Sequence, residues 1–127
     1  MNLVMGSASY NEANKTQFKR EGMSLLRKVV KILGLEKGTY DLRYNAGGIA
    51  VSGDCTLHTD NFYVTFNLDC CDWVLVRTCK SRKDYTGGTN MQFPFRKLQD
   101  DGAAGLSQFI VSKVFIPAIL PNCHTIA

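Results

Sequence analysis

The sequence predicts an α+β fold: an antiparallel β-meander of about four to five strands, with an N-terminal and a C-terminal helix packed on one face. Three features predict it. An apolar pattern of helical period opens the chain, short segments that alternate every second residue fill its middle, and a second helical pattern lies near its end. The turns between the alternating segments are short, which makes successive strands antiparallel. At 127 residues the chain reads as one domain, 1–127, with no repeat, low-complexity tract or linker. Its 45% hydrophobic and 20% charged residues suit a chain that buries a core.

Residues 1–10 and 117–127 are expected as loose or extended tails, the second apolar at its start. Ser9 or Asn11 can cap a helix that runs to about Leu33, where Gly34 stops it. Phe18, Gly22, Leu25, Leu26, Val29, Ile32 and Leu33 share its apolar face, and Arg20, Arg27, Lys28 and Lys31 gather on the other. Gly22 weakens such a helix by about 1 kcal/mol against Ala, a loss that close packing against a sheet can offset. Tyr40, Leu42 and Tyr44 begin the alternation. Asn45 to Gly48 turns, and Ile49, Val51, Gly53, Cys55 and Leu57 alternate in a second strand. His58 to Asn61 turns again, followed by a third strand with Phe62, Val64 and Phe66, a turn over Asp69 to Asp72, and a fourth strand from Trp73 to Lys80. Ser81 to Asn90 reads as a long loop. Pro94 makes Met91 to Leu98 an edge strand or an irregular segment. Asp100 or Asp101 can cap a last helix from about Ala103 to Phe115, with Leu106, Phe109, Ile110 and Val114 as its stripe and Pro117 as its stop. Core packing is the expected role of Tyr40, Tyr44, Phe62, Phe66 and Trp73, with Tyr63 on the exposed side.

The net charge of +4 admits an anionic partner without requiring one. Cysteines 55, 70, 71, 79 and 123 are odd in number, two of them are adjacent, and no secretory leader pattern opens the chain. Together these point to reduced cysteines and a cytoplasmic location. No apolar run is long enough to span a membrane.

The stretch from Arg77 to Asn90 carries the most suggestive chemistry. Arg77, Lys80, Arg82 and Lys83 are followed directly by Tyr85 and by Thr86-Gly87-Gly88. Phosphate recognition needs these parts: cationic donors, hydroxyls and a backbone free to turn its N–H groups inward. Tyr85 can stack on a base. The pattern is not a Walker A motif, because no Lys-Ser/Thr follows the glycines. A plainer role, a solvated edge strand and a polar turn, fits the same residues. Arg20, Arg27, Lys28 and Lys31 form a secondary basic surface that matters only if it adjoins this loop.

Other candidates are weaker. Cys55 and His58 with Cys123 and His124 offer four zinc-type ligands but no Cys-x2-Cys pair, so no metal is assigned. His58 with Asp54 and Asp60 can be drawn as an acid–base group. Cys79, flanked in sequence by Arg77 and Lys80, can be drawn as an activated nucleophile. Neither has an orienting third partner, and no cofactor motif is present, so no catalytic residue is assigned and catalysis ranks last.

Two passages, Asn45-Ala46-Gly47-Gly48-Ile49-Ala50-Val51-Ser52-Gly53-Asp54 and Cys79-Lys80-Ser81-Arg82-Lys83-Asp84-Tyr85-Thr86-Gly87-Gly88, resemble small uncharacterised proteins encoded by phages and prophage regions, over residues 39–90. The resemblance implies a mobile-element origin and, with it, nucleic acid, a nucleotide signal or a host protein as partner. The expected function is therefore a non-catalytic module that binds nucleic acid or a phosphate-bearing nucleotide through residues 77–90. The alternative is an accessory protein that binds and modulates a host protein complex.

Overall fold

The structure, a computed structural model, describes residues 12–45, 53–67 and 73–116. Helix α1 (Glu12–Leu33) leads into strands β1 (Tyr40–Asn45), β2 (Asp54–Thr59), β3 (Phe62–Asn67), β4 (Trp73–Thr78) and β5 (Asn90–Pro94). Helix α2 (Phe95–Ile110) follows and continues as a π-helical turn, Val111–Phe115. The five strands form one antiparallel sheet in sequential order. This is the expected meander with a helix at each end. The expected tails, the Ser9 or Asn11 cap, the turns at 46–48 and 69–72, and Ile49 and Val51 of the second strand lie outside the described residues.

Alternation decides which side of the sheet is covered. Cys55 and Leu57 of β2, Phe62, Val64 and Phe66 of β3, Val74 and Val76 of β4, and Phe93 of β5 are all buried on one face. The buried stripes of both helices, including Phe18, Leu25, Leu26 and Val29 of α1 and Leu106, Ile110 and Val114 of the C-terminal helical segment, complete this core. Phe18 meets Phe66 edge-on at 5.9 Å, and Phe115 meets Phe62 in the same way at 5.7 Å. Ile32 departs from its expected place on the apolar face and is exposed.

Helix α1 ends as its sequence predicts. Gly34 adopts a positive φ of 67°, the Gly34 N–H donates to the Lys31 carbonyl, and the Leu35 N–H donates to that of Val30. These paired bonds satisfy carbonyls that the last turn leaves open.

Three features differ from expectation, and the first is β4, which ends at Thr78 and not at Lys80. The His58 to Asn61 turn is shorter, because His58 and Thr59 belong to β2. A helical segment that the sequence does not predict begins at Phe95, and the expected last helix follows it from Ala103. Pro94 ends edge strand β5, where its missing N–H is tolerated, and this segment starts immediately after it. At Gly102 the chain has φ 63° and ψ −152°, a conformation essentially reserved for glycine. Helical geometry resumes at Ala103, the expected start of the last helix.

Gly22 packs against the sheet. A Cβ there would lie 2.6 Å from Cys55 Sγ and 3.1 Å from Phe66 Cε2. Gly22→Ala should therefore destabilise the protein by about 1–3 kcal/mol through overpacking, despite the gain in helix propensity of about 1 kcal/mol. Urea unfolding of Gly22→Ala, Cys55→Ala and the double variant checks this. Cys55→Ala should recover part of the loss caused by Gly22→Ala, and strict additivity would contradict a direct contact.

Candidate anion-binding loop and open sheet face

The strand positions that face away from the helices line up in rows across the sheet. Cross-strand register places Asp41, His58, Tyr63, Arg77 and Asn90 in one row, and Arg43, Thr56, Thr65, Leu75 and Gln92 in the next. Trp73, two residues before Leu75 on β4, falls in the following row beside Pro94. Among the described residues no helix covers this face.

Residues 79–89 fold back over the first row. Thr78 and Cys79 donate backbone N–H groups to Thr89 and Asn61. A tight turn at Ser81–Asp84 follows, with Lys83 at a φ of 67°. Arg82 pins this turn to two distant elements. Its Nη2 donates to the Gly38 carbonyl at 2.9 Å, its Nε reaches Asp60 Oδ1 at 3.3 Å, and its Nη1 lies 3.6 Å from Asp41 Oδ2. Lys83 adds a looser ion pair to Asp41 at 3.9 Å. Each such surface pair is worth about 0–1 kcal/mol, so their joint effect is chiefly to place the loop.

The placement delivers Tyr85 onto the open face. Its hydroxyl lies 2.6 Å from His58 Nδ1, and its ring centroid is 5.2 Å from that of Tyr63. His58 and Tyr63 stack at 4.7 Å. Arg77 closes the cluster, donating to the Tyr85 carbonyl at 2.8 Å and to Asn90 Oδ1 at 2.6 Å. Burial holds the His58 imidazole below its ordinary pKa, and Lys83 and Arg43 push the same way against Asp41. Burial, with help from Tyr63 and Cys79, raises the Tyr85 phenol. A neutral imidazole and a protonated phenol therefore share the short contact.

The residues singled out in the sequence thus separate by environment. Arg77, Arg82, Lys83 and Tyr85 come together, while Lys80 is exposed at the start of the turn. Thr86 and Gly88 have their backbone N–H groups engaged inside the loop, with Asp84 Oδ1 and the Tyr85 carbonyl. Gly87, at a φ of 71°, shapes the turn between them. Arg20, Arg27, Lys28 and Lys31 are exposed on α1, which packs on the other side of the sheet. The two basic surfaces do not adjoin.

The weaker candidates dissolve for geometric reasons. Cys55 and His58 stand three positions apart on β2 and so point to opposite faces, Cys55 into the core and His58 outward. Cys123 and His124 lie outside the described residues, among which no metal-binding cluster occurs. The Cys79 thiol is pushed up, first by burial and then by Asp60 and Asp84, so it is not the activated nucleophile that Arg77 and Lys80 suggested. Cys55 is pushed up to about 12. Asp60 is occupied by Arg82, while Asp54 stands four residues from His58 along β2, about 13 Å at strand spacing.

Sequence reading missed Arg43 and Trp73 on this face, and it placed Tyr63 on the exposed side without linking it to the loop. Arg43 is exposed in the second row. Tyr63 is half-buried under Tyr85. Trp73, expected in the core, lies on the open face with 37% of its surface exposed. The signal for Trp73 was present in Val74 and Val76, whose opposite parity claims the core.

Comparison of the chain with protein-family models, with curated proteins and with solved structures gives no match. No helix among the described residues is long and apolar enough to cross a membrane.

His58 sets a pH dependence of definite sign. Its folded pKa lies below the ordinary value of 6.5. Its contribution to stability is therefore complete above that value and is lost as pH falls through the folded one. The stability difference between the wild type and His58→Gln should shrink between roughly pH 7 and pH 5, the window in which histidine titrates. Urea unfolding at both pH values checks it, and a constant difference would contradict the assignment.

Proposed function

We propose that the chain is a non-catalytic binding module for an anionic ligand, nucleic acid or a phosphate-bearing nucleotide, held where residues 77–90 meet the open face of the sheet. One observation carries the reading. The loop brings Tyr85 onto Tyr63 and His58 and sets Arg77 and Lys83 beside them. Aromatic rings for a base and cations for a phosphate are thereby placed together. Lys80, Lys83 and Arg43 are exposed and supply the long-range attraction. Arg77 has two of its five N–H groups committed, which leaves donors for a phosphate. Arg82 acts mainly as a positioning residue. Thr86, Gly87 and Gly88 give the loop its shape, with the exposed Thr86 available at the rim.

Binding of a labelled oligonucleotide, followed by fluorescence anisotropy across a salt series, tests the reading. Each phosphate contact adds to the salt dependence of the binding constant. Lys80→Ala with Lys83→Ala should weaken binding for every base sequence and lower the slope of log K against log salt by about one per lost contact. Arg82→Ala should weaken binding and also lower the melting temperature. If the Lys80/Lys83 double variant binds with unchanged affinity and slope, the site is wrongly placed.

A second reading is favoured by a different feature. An apolar groove of about 440 Å³, lined by Ile32, Leu33, Ala104, Val111 and Phe115, lies between the end of α1 and the C-terminal helical segment, with Ile32 itself 53% exposed. It suits an apolar segment of a protein partner. On this reading the chain is an accessory protein of a phage or other mobile element that modulates a host complex, in keeping with its sequence resemblance. Ile32→Asp should abolish partner capture and leave oligonucleotide binding intact.

A further inference from the structure

The anion-binding reading leaves one large apolar side chain on the open face without a role. Of the three large hydrophobic residues that stand exposed among the described residues, Ile32, Trp73 and Ile116, only Trp73 belongs to the sheet. Its neighbours Val74 and Val76 are buried under the helices, so alternation turns Trp73 to the side that carries Tyr63, Arg77 and Arg43.

Register fixes its distance from the loop cluster. Tyr63 pairs with Arg77, and Trp73 lies four residues from Arg77 on the same strand. Four residues span about 13 Å at strand rise. A single nucleobase cannot stack on rings so far apart. The row between them holds Thr65 and Leu75, a hydroxyl and an apolar side chain, with exposed Arg43 in the same row two strands away. The face thus offers an aromatic group at each end of the β3–β4 pair and a cation to one side of the path between them.

Resting on the anion-binding reading, we propose that the ligand is a single-stranded nucleic acid lying along β3 and β4, with one base at the Tyr63–Tyr85 cluster and another stacked on Trp73. Arg43 and Arg77 contact the intervening backbone. Stacking of this kind needs unpaired bases and tolerates any base, because every base has a π-face. A duplex keeps its bases stacked on one another and has none to offer Trp73. A mononucleotide engages only the loop end.

Trp73 is the only tryptophan in the sequence, so intrinsic fluorescence reports on this position alone. Full-length protein is titrated with oligothymidylate of about eight nucleotides, within the roughly 4–16 nucleotides that single-strand sites occupy, with thymidine monophosphate and with a duplex of equal length. Binding is followed in parallel by competition against a labelled oligonucleotide. The single strand should quench Trp73 and bind most tightly, and the monophosphate should leave Trp73 emission unchanged. Trp73→Ala should weaken oligothymidylate binding about 5- to 150-fold, the equivalent of roughly 1–3 kcal/mol per stacked base, and Trp73→Phe should retain most of it. Circular dichroism of both variants, expected to match the wild type, separates lost stacking from lost fold.

Oligothymidylate that binds without moving Trp73 emission, and equally well to Trp73→Ala, overturns the Trp73 subsite while the loop reading stands. The same holds if the monophosphate binds and the oligonucleotide gains nothing over it. A duplex that competes as well as the single strand overturns the choice of ligand. Binding of none of the three overturns this proposal and the anion-binding reading together.

Discussion

The contact between Gly22 and the Cys55–Phe66 pair fixes how α1 sits on the sheet. Without a Cβ at position 22, the helix backbone comes down onto β2 and β3, and Phe18 reaches Phe66 edge-on one turn earlier. Because strands alternate, a helix seated on one parity of β2 and β3 commits every residue of that parity to the core. The second helix closes over β4 and β5 on the same side. The opposite parity is thereby left for Asp41, Arg43, His58, Tyr63, Arg77 and Trp73. The polar face is a consequence of where α1 can approach closely.

The loop depends on that division. Arg82 reaches residues on either side of the β1–β2 pair, and no single one of its contacts is strong in water. Their value is geometric, since they converge on one guanidinium and hold residues 81–85 against the open face. Tyr85 then finds His58 and Tyr63 at hydrogen-bonding and ring-packing distance. The basic face of α1 lies beyond the core on the far side of the sheet, so the two cationic surfaces cannot grip one compact ligand together.

Much of the fold was legible because it is written in local periodicity. The stop of α1 at Gly34, the alternation of β1 to β4 and the stripe of the last helix all follow from nearest neighbours in sequence. Pro94 closes an edge strand and the last helix starts at Ala103 after the break at Gly102, both where the local sequence places them. The misreadings lie elsewhere. Trp73 was grouped with the periodic core aromatics of the other strands, although the parity of Val74 and Val76 within its own strand turns it outward. Cys79 was judged by Arg77 and Lys80, its neighbours in sequence, whereas in space Asp60 and Asp84 raise its thiol. The cluster of His58, Tyr63 and Tyr85 joins residues up to 27 positions apart. Only strand register and the fold of the loop bring them together, and neither is visible in a window of sequence.

Tyr85 has a further part in the proposed site. In the free protein its ring covers Tyr63, and its hydroxyl meets His58 at 2.6 Å. A base that stacks on Tyr63 must take the place that Tyr85 holds. An intramolecular hydrogen bond of this kind contributes about 0.5–1.5 kcal/mol net, while a stacked base contributes roughly 1–3 kcal/mol. Exchange of one for the other is therefore close to balanced, and the displaced phenol remains free to stack on the outer side of the incoming base. A phosphate that draws Lys83 away from Asp41 gives up only a long, exposed ion pair. The contacts of Arg82 with Gly38, Asp41 and Asp60, which position the loop, lie outside the path such a ligand would follow.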